Sequence, residues 1–245
     1  MVRLMIIRKY LKRLRFAEAH EALLDARGAL AYLPPAPGPG GAGMTEDEIL
    51  AEFVAADALL EGHFVLSSGL HSSRYLQCAR VLMDPARASK LASALVRSFP
   101  LEIKKQLSII VSPAMGGIII GHEVGRSMGL EAVFLERPSG TFELRRGFRL
   151  EPGQKVLLVE DVVTTGLSSR EAIKAVEAAG GEVVAAAALV DRSNGIADLG
   201  VPFIPLIRID VPVYEPENLP PDLAEMPVQK PGSRKAPVPS GAEGA

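Results

Sequence analysis

The stretch Val156–Ser169, "VLLVEDVVTTGLSS", decides how the rest of the chain is read. Four apolar residues run into two adjacent carboxylates, Glu160 and Asp161. Two valines, two threonines, a glycine, a leucine and two serines follow. The apolar run has the length of a buried strand, and Thr and Ser around a glycine suit a chain entering a helix. Such a turn leaves backbone N–H groups unpaired, presents the positive end of the helix dipole and adds hydroxyl donors. Thr164, Thr165, Gly166, Leu167 and Ser168 therefore read as a nest for a phosphate monoester. Gly166 can take a backbone conformation that brings the amides close to a ligand. Glu160 and Asp161 are the opposite kind of group and accept hydrogen bonds from vicinal hydroxyls. Phosphate donors a few residues from diol acceptors describe a ribose 5-phosphate. The plainer alternative is an ordinary helix cap, with both acids solvated at the strand end.

Outward from this stretch the chain alternates. A helix is expected over about 46–61, opened by the capping-box pair Thr45 and Glu48 and burying Ile49, Leu50, Phe53 and Val54. A Gly-punctuated hairpin, "HFVLSSGLHSSRYLQCARVL", follows. Asp84-Pro85 opens a second helix reaching about Arg97. Strands are then expected at 107–111, 131–135, 156–160, 182–190 and 203–209, with helices from about 117 and over "SSREAIKAVEAAG". Unbroken apolar strands alternating with helices give an α/β fold with a parallel sheet covered on both faces. Ligands in such sheets bind beyond the carboxyl ends of the strands. That singles out the loops 112–117, 161–168 and 191–195.

Bulk properties exclude several classes. The chain has 245 residues, 48% hydrophobic and 23% charged, with a formal net charge of −2. This fits one domain with tails and gives no broad nucleic-acid footprint. One cysteine, Cys78, provides neither a disulfide framework nor a cysteine-based zinc site and reads as a core residue. No apolar run reaches the roughly 18 residues of a membrane span, so a cytoplasmic protein is expected. Residues 1–17 carry six basic and no acidic side chains, and "PPAPGPGGAG" at 34–43 has linker composition. Residues 1–43 are expected to be disordered or not native, the domain to run over 44–228, and 229–245 to be a disordered tail. His63, His71 and His122 are read as structural or solvated.

"VLLVEDVVTTGLS" closely resembles the thirteen-residue phosphoribosyl-diphosphate signature of type I phosphoribosyltransferases. The resemblance implies that family's fold: a central parallel sheet flanked by helices, with a small hood from N-terminal and C-terminal segments. It places Glu160 and Asp161 on the ribose hydroxyls and Val162, Val163, Thr164, Thr165, Gly166, Leu167 and Ser168 around the donor, with Thr164 also touching the base. "GHFVLSSGLHSSRYLQCARVL" looks like the hood of orotate phosphoribosyltransferases, and implies Tyr75 and Leu76 beside the ring. "SPAMGG", Ser112–Gly117, matches their diphosphate loop and brings in Ala114, Met115 and Gly116. "ERPSGTFELRRGF", Glu136–Phe148, looks like the flexible catalytic loop of one branch. "LVDRSNG" resembles the next strand end, so Arg192 would meet the orotate carboxylate. The likeness covers about 44–232.

Some positions depart from the pattern. The glycine usual after Thr-Thr-Gly is Leu167, a hood lysine is Ser67, and a lysine common in the diphosphate loop is Gly116. The catalytic loop carries Arg137, Arg145 and Arg146 but neither lysine nor histidine, so no general acid carries over. These guanidiniums and Mg²⁺ suit the negative charge growing on a leaving diphosphate. Arg137, Arg145, Arg146 and Asp161 are thus the candidate catalytic residues. Mg²⁺ would be held mainly through the donor, with Asp161 the side chain placed to touch it. The implied reaction passes through an oxocarbenium-like state, which calls for closure of loop 138–147 against water. The family resemblance also implies a homodimer in which this loop is shared across subunits. Two rivals stand beside orotate transfer: a phosphoribosyltransferase for a purine or uracil, and a non-catalytic regulator that senses the ribose-phosphate donor.

Overall fold

The computed structural model describes residues 43–66 and 68–230. The readings made of residues 1–42, Ser67 and residues 231–245 lie outside the described residues. Helix α1, Glu46–Ala55, begins at the expected capping box. The Thr45 hydroxyl accepts from the Glu48 N–H at 3.2 Å, and the Glu48 carboxylate accepts from the Thr45 N–H at 2.9 Å. The helix ends at Ala55, short of the expected 61. Asp57 turns into the left-handed region at φ 49°, and the chain leaves into strand β1, Leu59–Val65. Leu59 and Leu60 are thereby claimed by pairing with Leu76 and Tyr75 of β2, His71–Leu76. The hairpin forms as expected up to Leu76, but the end of the stretch, Cys78–Leu82, is a helix.

Helices α2, Cys78–Leu82, and α3, Pro85–Ser98, follow. Asp84 caps α3 by accepting from the N–H groups of Ala86 and Arg87, with Pro85 in the first turn. After α4, Leu101–Lys104, come β3, Ile109–Pro113, α5, Gly116–Met128, and β4, Glu131–Glu136. A two-residue strand β5, Glu143–Leu144, folds back on β4. Then come β6, Lys155–Val163, α6, Leu167–Ala178, β7, Glu182–Asp191, and β8, Phe203–Arg208. The chain closes with β9, Val213–Tyr214, α7, Pro221–Ala224, and β10, Val228–Gln229.

The main sheet has the order β5-β4-β3-β6-β7-β8, parallel except for β5. Because β6 is central, its side chains alternate into two cores. Leu157 and Val159 join one with Ile120 and Val124 of α5 and Leu91 and Leu95 of α3. Val156 and Leu158 join the other with Ala172, Ile173 and Val176 of α6. Both faces being apolar is the physical reason the strand reads as an unbroken apolar run.

The hood is a second sheet, β10-β1-β2-β9, drawn from both ends of the domain. Gln229, expected to open the tail, pairs with Phe64 in this sheet. His63 is buried; its Nδ1 lies 3.2 Å from the Met226 carbonyl and its Nε2 2.5 Å from His71 Nδ1. The two histidines tie β1 to β2 and to the chain before β10, a structural role. Cys78 is buried in the first core, as expected.

Candidate active site

β6 does not stop at Glu160. It runs to Val163 because β7 accompanies it, with Val162 opposite Val190 and Val163 opposite Asp191. The two acids therefore stand inside the strand, and the solvated strand end is not what forms. Glu160 is only 7% exposed. Burial, and then the charge of Asp161, push its carboxyl from 4.5 up to about 8, with Arg137 pulling the other way. Burial also raises Asp161, while the Val162 N–H, donating to its Oδ1 at 3.0 Å, opposes the rise.

The loop 112–117 meets this acid at Gly116. A Cβ there would lie 2.6 Å from both carboxylate oxygens of Asp161. The lysine that the resemblance leads one to expect has no room unless Asp161 moves. At Gly117 a Cβ would lie 2.8 Å from the Val159 carbonyl, so α5 starts hard against β6. Ala114 donates its N–H to the Leu135 carbonyl at 2.8 Å, and Met115 beside it is exposed.

Thr164–Gly166 link β6 to α6. Gly166 caps α6 at φ 73° and has no side-chain cap bond. Its absent Cβ would come within 2.6 Å of Leu199 and 3.0 Å of the Arg170 guanidinium. Conformation and space both require glycine there. Arg170 donates to the carbonyls of Thr165 and Asp198 at 3.2 and 2.8 Å, fastening the loop. Leu167 turns its side chain outward, 57% exposed, so its departure from glycine leaves the backbone in place. Ser168 lies in the first turn of α6, not in the loop. Val163 points into the second core, so its side chain does not line the site.

Arg192 follows β7. Its N–H donates to the Val163 carbonyl at 2.8 Å, which sets it beside Thr164. Its Nε is buried without a hydrogen-bond partner, and burial lowers the guanidinium's pKa. Tyr75 and Cys78 lie within its electrostatic reach. Tyr75 packs on Phe64 at 5.7 Å between ring centroids. Leu76, expected beside the base, is buried in the first core instead, because the alternation of β2 turns it inward.

The loop arginines are all paired. Arg137 donates to Glu171 of α6 at 2.6 Å and lies 3.9 Å above the Phe142 ring. Arg146 and Arg145 reach Glu136 at 2.5 and 3.5 Å. Segment 138–147 folds back on β4 through β5, with Phe142 buried in the second core. Among the described residues no cluster of three or more His, Cys, Asp or Glu could hold a metal. No helix among them is long and apolar enough to cross a membrane. Reading the sequence missed Arg170, Glu171, Glu136 and Asp191. Their only signal was charge next to a motif, which is too common to single them out.

Residues 82–200 match the family described as "Phosphoribosyl transferase domain", the class that this sheet and its strand-end loops define. The chain is 74% identical over 193 residues to the orotate phosphoribosyltransferase of Rhizorhabdus wittichii, covering 79% of this chain and 98% of that one. It is 68% identical over 194 residues to that of Novosphingobium aromaticivorans, covering 79% and 100%. The crystal structure of orotate phosphoribosyltransferase from Aeropyrum pernix superimposes with a TM-score of 0.56 at 26% identity, covering 66% of this chain and 93% of that one. The chain belongs to the orotate phosphoribosyltransferase family.

Proposed function

We propose that this protein transfers the 5-phosphoribosyl group from phosphoribosyl diphosphate to N1 of orotate. The products are orotidine 5′-monophosphate and diphosphate, and the step belongs to pyrimidine (UMP) biosynthesis. The C1′–O bond to diphosphate breaks, the C1′–N1 bond forms, and the N1 proton is lost. The observation that carries the choice of base is Arg192, whose buried Nε has no partner beside Thr164. A buried donor of this kind is costly unless a ligand satisfies it, and a carboxylate does so with a charge-assisted bond.

Thr164–Ser168 hold the 5′-phosphate through backbone N–H groups and hydroxyls. Glu160 and Asp161 accept from the ribose hydroxyls and favour the cationic ribosyl centre as the leaving group departs. Arg137, Arg145 and Arg146 face the diphosphate, and their pairing with Glu171 and Glu136 is the resting arrangement. Mg²⁺ fits as an ion carried by the diphosphate, with Asp161 as its protein contact, since this metal keeps waters and phosphate oxygens rather than a protein cage. When bound, it neutralises charge growing on the diphosphate. The protein acts as a homodimer in the cytoplasm.

The test is the ultraviolet absorbance of orotate with the protein, phosphoribosyl diphosphate and Mg²⁺. Loss of the orotate band only when donor and metal are both present is expected. Turnover with uracil or a purine instead would refute the base, and tight donor binding without turnover would favour the sensor.

Glu160 adds a pH prediction. A carboxyl whose folded pKa exceeds its unfolded value stabilises the fold at low pH and loses that contribution as pH rises through the folded value. For Glu160 the window runs from 4.5 to about 8. Ribose hydroxyls donating to this group favour its charged form, so donor binding at pH 7 should expel a proton and tighten towards pH 8. Calorimetric titrations of donor and Mg²⁺ in two buffers of different ionisation heat read the proton directly. Glu160→Gln should release fewer protons than wild type, and equal release from both would refute the linkage.

A further inference from the structure

We propose that Asp191 is the positioning residue that sets orotate affinity, acting through the turn that presents Arg192. The proposal rests on the assignment of Arg192 to the base. Asp191 is the last residue of β7 and has no exposed surface. Its Oδ1 accepts from the Ser193 N–H at 2.7 Å and the Ser193 hydroxyl at 2.6 Å. Its Oδ2 accepts from the Gly195 N–H at 3.2 Å and from Arg208 Nε at 3.3 Å. One carboxylate thus gathers four donors from two elements.

The backbone around it is pinned as well. The Asp191 carbonyl accepts from the Ile209 N–H at 3.0 Å, and Arg192 N–H donates to Val163 at 2.8 Å. The Ser193 hydroxyl, already bound to Asp191, accepts from the Ala197 N–H at 3.0 Å. The turn from 191 to 197 is therefore wound around the Asp191 side chain. Arg192 is held by its backbone between Val163 and that winding, while its Nε is left without a partner. A guanidinium meant to grip a flat carboxylate must be aimed as well as charged, because the paired bonds are geometrically strict. Asp191 supplies the aim. Arg208 completes the clamp from β8, and its side chain remains 42% exposed.

Steady-state kinetics of the full-length protein with both substrates varied tests this. Asp191→Asn removes the charge that holds the donors. Should that variant fold poorly, Arg208→Met loosens the same clamp from its exposed side. Either change should raise KM for orotate about tenfold, as a small misplacement of a binding group does. KM for phosphoribosyl diphosphate should stay within about twofold, and Arg208→Lys should recover part of the loss. A fall in kcat with both KM values unchanged would overturn the proposal and leave Asp191 a folding residue. So would a parallel rise in both KM values. Arg192→Met run alongside separates the two levels. If it raises KM for orotate while the clamp variants do not, the positioning role fails alone. If it leaves that KM unchanged, the base assignment fails and takes this proposal with it.

Discussion

Asp161→Asn should lower kcat/KM for phosphoribosyl diphosphate by about a hundredfold to a thousandfold, the usual loss when one preorganised group facing developing charge is removed. The side chain is held from two sides. The Val162 N–H fixes Oδ1 at 3.0 Å, and the Cβ-free notch of Gly116 receives both oxygens. Asparagine has the same shape and keeps an oxygen for Val162. What it lacks is the charge, and a ribosyl centre turning cationic responds to charge more than to shape.

The melting temperature should move the other way or not at all. Burial already raises the pKa of Asp161, which means that the fold bears a cost for keeping it ionised. Neutralising it removes that cost, so the variant should melt at or slightly above the wild-type temperature. Opposite signs for activity and stability are the mark of a group kept for chemistry. Kinetics on one purified batch, paired with a thermal melt, decide the matter. Equal losses in both would place Asp161 among the folding residues.

The parts of this site legible in the sequence were those whose physics is local. The run from Val156 to Ser169 contains its own strand and helix start, so β6 and α6 both form there, although β6 carries on past the acids to Val163. The parallel sheet was legible because β6 and β7 are buried on both faces and leave unbroken apolar runs. Elsewhere the deciding partner lies far along the chain. Helix α1 stops at Ala55 because Leu59 and Leu60 pair with β2, and no glycine or proline marks the stop. The closing hood strands β9 and β10 are two residues each, too short to carry a period. Leu76 turned out to face the core because its register is set by β1. Asp191 looked like one acid before an arginine; only the approach of β8 brings Arg208 to it. The pairing of Arg137 with Glu171 crosses from the end of β4 to α6, and no spacing rule connects them.

Arg192→Met is expected to reduce kcat/KM for orotate by about thirtyfold to several thousandfold, which corresponds to losing one side of a buried charge pair at about 2–5 kcal/mol. Methionine keeps much of the length and packs well in irregular apolar space. The cavity term is therefore small, and the lost charge dominates. The buried Nε without a partner is a liability in the empty protein, so its removal should leave the melting temperature unchanged or raise it. Donor affinity should stay within about threefold, because the nest at Thr164–Ser168 is held by Gly166 and Arg170, whose hydrogen bonds do not involve Arg192. The comparison that isolates the carboxylate uses uracil, the same ring without it. Wild type should discriminate strongly between the two bases, and the variant should lose most of that discrimination by losing orotate rather than by gaining uracil. Equal losses for both bases would mean that Arg192 supports the site as a whole and that the carboxylate is recognised elsewhere. Lost discrimination at constant donor affinity would fix the contact at the end of β7, one strand from Glu160 and Asp161, which is where the register of Val163 with Asp191 puts it.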